Sequence, residues 1–435
     1  ATSADSAEAL LENLRALRDG RPAPWDPTHR VRIAAAAESP AERVEQLERA
    51  LGVLEKGRSP DLLRGRGIHY EDGVPEGKLA FLFTGQGSQY IDMGLDLAEA
   101  FPVVAQTFTE ADRVLLPELG RPITSFIRRD PSIEEEVQDA RLRATEIAQP
   151  ATLVLDIAIL RLLNAFGVYP DVVAGHSLGE YAACVAAGVM TFEGALHAVS
   201  ARGREMASVH LDDPGKMAGV AAAVGVVEGV LAEVAGYVIA ANKNCPTQTV
   251  IAGESDAVDD ATERFRARGL GVQALPVSHA FHSRIVAPAS EPLRKVLHRI
   301  GLSAPRRPIT TNVTADYYDA DIGRSIDLLA RQISAPVEWI AQTERMVADG
   351  AGLFIEVGPK RALAGFTAAI LKRRPHRAWY TNHPKRGGLI SFYDALAGML
   401  AAGLPVRAQP AEGVPDLFEA HAPRRDHGDL GHRED

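Results

Sequence analysis

Gly175-His176-Ser177-Leu178-Gly179 is the stretch that decides how this chain is read. An apolar run, Asp171-Val172-Val173-Ala174, leads into it, and a small-residue stretch from Glu180 to Gly188 leads out. The order is strand, sharp turn, helix, with a serine at the apex, which is the arrangement of a nucleophile elbow. Glycines on both sides permit a tight turn and a close approach of neighbouring elements. Leu178 opens the first helical turn, whose free N–H groups favour negative charge beside Ser177. A hydroxyl held there is placed for acyl chemistry. The same pentapeptide also fits a serine that only caps a helix.

Outward from the elbow, strands and helices alternate, which predicts an α/β fold with a parallel-sheet core and an α/β-hydrolase-like nucleophile elbow. Leu79–Phe83, Ile309–Val313 and Leu353–Val357 read as buried strands, and Thr145–Phe166 and Phe192–Val209 as helices. Between Gly215 and Val277 the pattern changes. Lys216–Val224, Tyr237–Ala241, Gln248–Ala252 and Val272–Pro276 read as strands, with helices over Val226–Ala235 and Asp256–Arg268. That β-α-β-β-α-β order predicts a small ferredoxin-like α+β subdomain inserted into the larger one. Its ends should lie together, returning residues near Ser278 to the elbow.

The first 75 residues read as a separate α/β unit. It holds a helix over Ala7–Arg18, a strand over Val31–Ala35 and a second helix ending near Gly57. Ser39-Pro40-Ala41-Glu42 supplies the cap of that second helix, with Ser39 at N-cap, Pro40 at N1 and Glu42 at N3. Val44, Leu47, Leu51 and Leu54 are expected on its buried face. The predicted division is therefore residues 1–75, a large α/β subdomain over 76–214 and 278–385, the insert over 215–277, and a following segment over 386–435. From about Gln409 the chain is polar and charged and reads as disordered.

Composition narrows the function classes. The chain has 435 residues, 46% hydrophobic and 24% charged, with a net charge of −10. That length supports roughly two to three domains with a sizeable core. The acidic balance, with no basic stripe, argues against a nucleic-acid partner. No run reads as a membrane span, since Met217–Ala241, the longest apolar stretch, is broken by Glu228 and Glu233. The two cysteines, Cys184 and Cys245, lack metal-like spacing and do not make a disulfide framework, so a reducing cytoplasm is the expected compartment. The N-terminus carries no signal-peptide pattern and no initiator Met, and the chain reads as processed or cut from something longer.

A serine nucleophile needs a general base, usually histidine. Of thirteen histidines, His279 and His282 in His279-Ala280-Phe281-His282-Ser283 lie just past the insert, and either could serve. His176 adjoins the serine, but consecutive side chains at a sharp turn diverge. It is read as a structural residue lining the substrate-binding region. Thr84-Gly85-Gln86-Gly87-Ser88-Gln89 follows the first buried strand. A phosphate loop is a poor reading of it, because Tyr90 stands where a third glycine is needed. A loop that offers a backbone N–H to an oxyanion hole fits better, with Leu178 as the second donor. Arg202 borders the buried face Phe192, Leu196, Val199 and Met206. It could bind a planar carboxylate or form an ordinary ion pair.

These segments, in this order, resemble the acyltransferase domain of type I polyketide synthases and the related malonyl-CoA:acyl-carrier-protein transacylases. The resemblance rests on Phe83–Gln89, Gln149-Pro150-Ala151, Gly175–Glu180, Arg202-Gly203-Arg204-Glu205-Met206, Asn242–Pro246, His279–Ser283, Asn312-Val313-Thr314 and Glu356-Val357-Gly358-Pro359. Residues 1–75, with Gly67-Ile68-His69-Tyr70, resemble the ketosynthase-to-acyltransferase linker, and 386–407 the segment that follows the domain. The resemblance implies that Ser177 attacks an acyl-CoA thioester with His282 as base, giving an acyl-serine. The phosphopantetheine thiol of an acyl carrier protein then attacks that ester in a ping-pong cycle. It implies oxyanion donors at Gln86 and Leu178, and a backbone carbonyl at Gln332 orienting His282 in place of an Asp. Arg202 would take the malonyl carboxylate. Phe281 would exclude an α-methyl group, as in malonyl-selecting relatives, and Leu178 agrees with that selection. Asn244 either holds the acyl group or pantetheine or is structural before Pro246. No bound cofactor is implied beyond the malonyl-CoA substrate and the carrier's arm. The expected partners are the carrier protein, the ketosynthase and other domains of a parent synthase. The alternative is an α/β-hydrolase or thioesterase, with Asp256 or Asp259 as the third triad member.

Overall fold

A computed structural model describes residues 1–418 apart from 65, 210 and 211. Most of the charged tail expected to be disordered, from residue 419 on, lies outside the described residues. Eleven strands form three sheets among them. The first is antiparallel, with β1 (Thr2–Ala4) and β3 (Ile68–Asp72) flanking β2 (Val31–Ala35). Helix Pro40–Leu54 packs on it, with Ser39 accepting from the Glu42 N–H at 3.1 Å and Pro40 in the first turn. Leu10, Leu14, Ile33, Leu51 and Leu63 make its core. Val44 departs from the expected buried face. It is 51% exposed, because that end of the helix lies outside this apolar cluster.

The central sheet is parallel and takes in β4 (Lys78–Phe83) and β5 (Val172–Gly175). A third sheet holds β6 (Lys216–Val220), β7 (Val238–Cys245), β8 (Gln248–Gly253) and β9 (Val272–Ala274). The chain then returns to the central sheet as β10 (Ala351–Val357) and β11 (Arg377–Tyr380), giving the order β11-β10-β4-β5. Side chains of β4 alternate between two cores, as the period of a strand requires. Leu79, Phe81 and Phe83 join the larger one, with the helix Thr145–Ala165, while Ala80 and Leu82 meet Trp339, Phe354 and Leu363 on the other face.

One expected strand is absent. Ile309–Val313 makes only isolated bridges, Ile309 to Val173 and Thr310 to Tyr317. Beyond Ile309 the chain turns back on itself, with the Thr311 N–H bonded to Asp316 O, and Asn312 turns to a buried carboxylate instead of a strand neighbour.

The third sheet is antiparallel throughout, in the order β7-β8-β6-β9, with helices Val224–Leu231 and Ser255–Ala267 packed on it. Val220, Val227, Ile251, Val258 and Phe265 give it an apolar core of its own. The loops at the carboxyl ends of β4, β5 and β10 open towards this sheet, at the end of a parallel sheet where ligands bind. Among the described residues no helix is long and apolar enough to cross a membrane.

Candidate active site

The turn after β5 is built by close contact. A Cβ on Gly175 would lie 2.0 Å from the Gly179 carbonyl, and one on Gly179 would lie 2.2 Å from Phe83 O. Only glycine fits at either place, so the loop is drawn tight against the end of β4. Ser177 is forced to φ +52, a left-handed conformation that costs a non-glycine residue about 1–3 kcal/mol. Asn312 holds it there: its Oδ1 accepts from the Ser177 N–H and its Nδ2 donates to Gly175 O, each at 2.7 Å.

His282 also sits in left-handed backbone, at φ +59, with its N–H bonded to Ile333 O at 2.9 Å. Its Nδ1 faces two carbonyl oxygens, Gln332 O at 3.0 Å and Ala335 O at 3.2 Å. Carbonyls only accept, so Nδ1 carries the proton and Nε2 presents a lone pair. Ser177 Oγ lies 2.7 Å from that Nε2 and donates to it. Burial, with Arg202 and His176 nearby, pushes His282 down to about 3, which keeps the imidazole neutral. A hydroxyl, a neutral base and an orienting acceptor are thus in line.

Arg202 approaches from the opposite wall. It stands inside the protein, 1% exposed, rather than at the border of a buried face as the helical spacing indicated. The reason is Gly203: a Cβ there would lie 2.8 Å from Glu146 Cα, so helix Phe192–Ala207 presses directly on the start of Thr145–Ala165. The Arg202 Nη2 donates to Gln332 Oε1 at 3.1 Å and lies 3.5 Å from Ser177 Oγ.

The β4 loop supplies the remaining edge. The Gln86 side chain is tied back to Gln149 at 3.3 Å and Thr145 at 3.4 Å. Thr84 donates to buried Asp156 at 2.8 Å. Neither the Gln86 N–H nor the Leu178 N–H has an acceptor among the described residues, so both are open to a ligand. A cavity of about 820 Å³ lies over these groups, lined also by Met206, Asn244, Val250, Leu275 and Phe281. His176 stacks near Trp339 and donates from Nε2 to Asn244 Oδ1 at 2.8 Å, which ties the elbow to β7.

The structure therefore gathers Ser177, His282, Gln86, Arg202, Phe281, Asn244 and His176 around one cavity, with Gln332 bonded to His282, Arg202 and Ser177 behind its wall and Leu178 next to the serine in the chain. His279, the other base left open by the sequence, bonds to Ser278 and Val209 and not to the serine. Asp259 pairs with Lys216 on the surface, and neither it nor Asp256 bonds to His282. Two residues of the site lie within the quoted segments but had been given no role. Asn312 and Glu180 lie under the elbow, and Glu180 Oε1 accepts from the Asn312 N–H at 3.2 Å and from Tyr318 OH at 2.7 Å. The available signal was a lone carboxylate in the otherwise apolar helix Gly179–Ala187. Among the described residues no cluster of side chains is arranged to hold a metal ion.

Known proteins share this sequence and shape. Residues 80–374 match the model of the acyl transferase domain. A polyketide synthase of Streptomyces halstedii, GfsA, is 35% identical over 437 aligned residues, which cover 97% of this chain but 6% of that protein. The malonyl CoA-acyl carrier protein transacylase of Bacillus subtilis is 37% identical over 304 residues, covering 68% of this chain and 91% of that one. Among solved structures, the acyltransferase domain from the second module of the salinomycin polyketide synthase superposes with a TM-score of 0.72 at 30% identity, over 86% of this chain and 84% of that one. A malonyl-transacylase in complex with its type II acyl-carrier protein gives 0.65 at 34% identity, over 73% and 99%. On its sequence, its parallel-sheet α/β fold and these matches, the chain belongs to the acyl transferase domain family.

Proposed function

We propose that this chain loads a malonyl group from malonyl-CoA onto Ser177 and passes it to the phosphopantetheine thiol of an acyl carrier protein. The observation that carries this reading is the convergence of the Ser177–His282 pair and the buried Arg202 on one cavity, within 3.5 Å of the same hydroxyl. In the first half-reaction His282 Nε2 accepts the hydroxyl proton as Ser177 Oγ attacks the thioester carbonyl. The Gln86 and Leu178 N–H groups stabilise the oxyanion, and each such donor is typically worth about a hundred- to a thousand-fold in rate. His282 returns that proton to the departing sulfur, so CoA leaves as the thiol and the imidazole is neutral again. In the second half-reaction the carrier's thiol gives its proton to His282 and its sulfur attacks the acyl-serine carbonyl, and as the ester bond breaks His282 returns the proton to Ser177 Oγ. The imidazolium that forms in each half-reaction is stabilised by the two carbonyls at Nδ1.

Arg202 selects a carboxylated acyl group, and Phe281, 7% exposed, closes the space beside its α-carbon. His176 and Asn244 shape the wall nearest β7. We read the turn at Ser177 as a nucleophile elbow, the β6–β9 sheet as a ferredoxin-like insert over 215–277, and residues 1–75 as the linker towards a ketosynthase. A parent polyketide synthase working in the cytoplasm is part of this proposal, supported by the similarity to GfsA over 97% of this chain. The hydrolase alternative loses support at His282, whose Nδ1 is met by carbonyls where a hydrolase places an Asp.

Intact-protein mass after brief exposure to equimolar malonyl-, methylmalonyl- and acetyl-CoA tests the reading. A malonyl adduct that is absent from Ser177→Ala is expected. CoA release with no adduct would indicate hydrolysis instead.

A further inference from the structure

Among the described residues Arg202 is a buried cation with no carboxylate at ion-pair distance and no hydrogen-bond acceptor for its Nε–H. A buried charge without a counter-charge is strongly destabilising. The nearest anion is one amide away. Gln332 Oε1 accepts from Arg202, while Gln332 Nε2 donates to Glu180 Oε2 at 2.9 Å and to Ser177 O at 2.5 Å. The amide is therefore fixed in one sense, its oxygen towards the guanidinium and its nitrogen towards the carboxylate. The backbone carbonyl of the same residue takes the His282 Nδ1 proton. One residue thus connects the base, the elbow and the cation.

Resting on the reading of Arg202 as the malonyl carboxylate site, we propose that Glu180 is the counter-charge and positioning residue of Arg202, acting through the Gln332 amide. This relay sets the preference for a carboxylated acyl group. With the Gln332 oxygen holding Nη2 of Arg202, the guanidinium is fixed in one orientation beside Ser177 Oγ, where an incoming carboxylate meets it. All three groups that reach Glu180, the Asn312 N–H, Tyr318 OH and Gln332 Nε2, are donors, which only an ionised carboxylate satisfies in full. Replacing it by glutamine puts an NH₂ where one of them points. If the new amide keeps its oxygen on Asn312 and Tyr318, Gln332 must reverse, and its nitrogen then faces Arg202. The selectivity contact is lost although neither Arg202 nor the dyad has been changed.

Ionisable groups face Glu180 from three sides: Tyr181 and Cys184 on its own helix, Arg202 on the next, and Tyr318 on the loop below. Burial pushes its carboxyl up to about 7, against the lowering by its hydrogen bonds and Arg202. Acid should therefore remove the charge that orients the relay while His282 remains neutral.

The test is the ratio of kcat/KM for acyl-Ser177 formation from malonyl-CoA to that from acetyl-CoA. In the unaltered protein this ratio should fall as the pH is lowered from about 8 to about 6. In Glu180→Gln it should be lower by about tenfold or more at pH 8 and flat with pH. Combined with Arg202→Ala it should fall no further than in Arg202→Ala alone, because both changes break one pathway. A ratio unmoved by Glu180→Gln, while Arg202→Ala lowers it, overturns the relay and leaves the carboxylate site standing. A ratio unmoved by Arg202→Ala overturns the carboxylate site itself. Should Glu180→Gln fail to fold, Gln332→Met keeps the backbone carbonyl that His282 uses but ends the relay, and with the pH profile it decides the question in the same way.

Discussion

Ser177 and His282, 105 residues apart, meet at 2.7 Å with both backbones in the left-handed region. Neither is a glycine, so each conformation is imposed by its surroundings: Asn312 at the serine, and the carbonyls of Gln332, Ile333 and Ala335 at the histidine. The reacting pair is held by backbone carbonyls and two amide side chains, those of Asn312 and Gln332, and among the described residues no carboxylate bonds to the histidine.

Asn312→Ala should cost both stability and rate. It leaves the Gly175 carbonyl and the Ser177 N–H without partners, at about 1–3 kcal/mol for each buried group. Thermal unfolding should shift downward, and the initial rate of acyl-Ser177 formation should fall by about tenfold or more. Loading at the unaltered rate would show that the glycines alone hold the turn.

The behaviour of His282 in acid follows from its depressed value of about 3. Loading from acetyl-CoA, which does not call on Arg202, should show no loss near the ordinary histidine value of about 6.5. The same depression has a stability consequence. The unfolded chain binds a proton at this position below about 6.5 and the folded one does not, so its contribution is full above that pH and is lost progressively towards about pH 3. A rate profile with a limb near pH 6.5 would place His282 in a wetter site than this one.

Phe281→Ala opens the wall beside the α-carbon. A methyl group in an apolar pocket is worth about 1–3 kcal/mol, so discrimination against methylmalonyl-CoA should drop by about ten- to a hundred-fold. Competition between the two donors, read as adduct masses, measures it. Unchanged discrimination would move the selecting contact to another wall of the cavity.

Glu356 gives a prediction of opposite sign. It is 1% exposed, lies at the end of β10 and accepts from the Ala364 N–H at 2.7 Å, and burial raises it from 4.5 to about 7. The folded protein holds that proton between about pH 4.5 and 7 and the unfolded chain does not, so stability from this group is present below that window and lost as pH rises through it. Thermal unfolding of Glu356→Gln should be flatter across the same window. Identical slopes would show that Glu356 is ionised in the folded protein.

The fold and the site were legible to different depths. The β-α-β-β-α-β periodicity of residues 216–274 was open to reading, since each element declares itself over a few residues. Ile309–Val313 misled because its apolar and β-branched residues look like a strand, while its fate depends on Asn312 bonding a carboxylate 132 residues away. Glu180 was hidden for the same reason, since its partners Asn312, Tyr318 and Gln332 are all brought by tertiary structure. The Gln332 carbonyl was expected as the orienting group. Its side chain, which spans Arg202 and Glu180, was not, because an amide at the end of a helix carries no local mark of what lies at its two ends.

The strand order β7-β8-β6-β9 carries one more consequence. Because β6 and β9 are neighbours, the chain enters and leaves that sheet at nearly the same place. Val250 and Leu275 form the roof of the cavity, whereas Ser177, His282 and their supports belong to its floor. Replacements in the roof can thus retune which acyl groups are accommodated without rewriting the machinery below. The architecture separates the vocabulary of donors from the grammar of transfer.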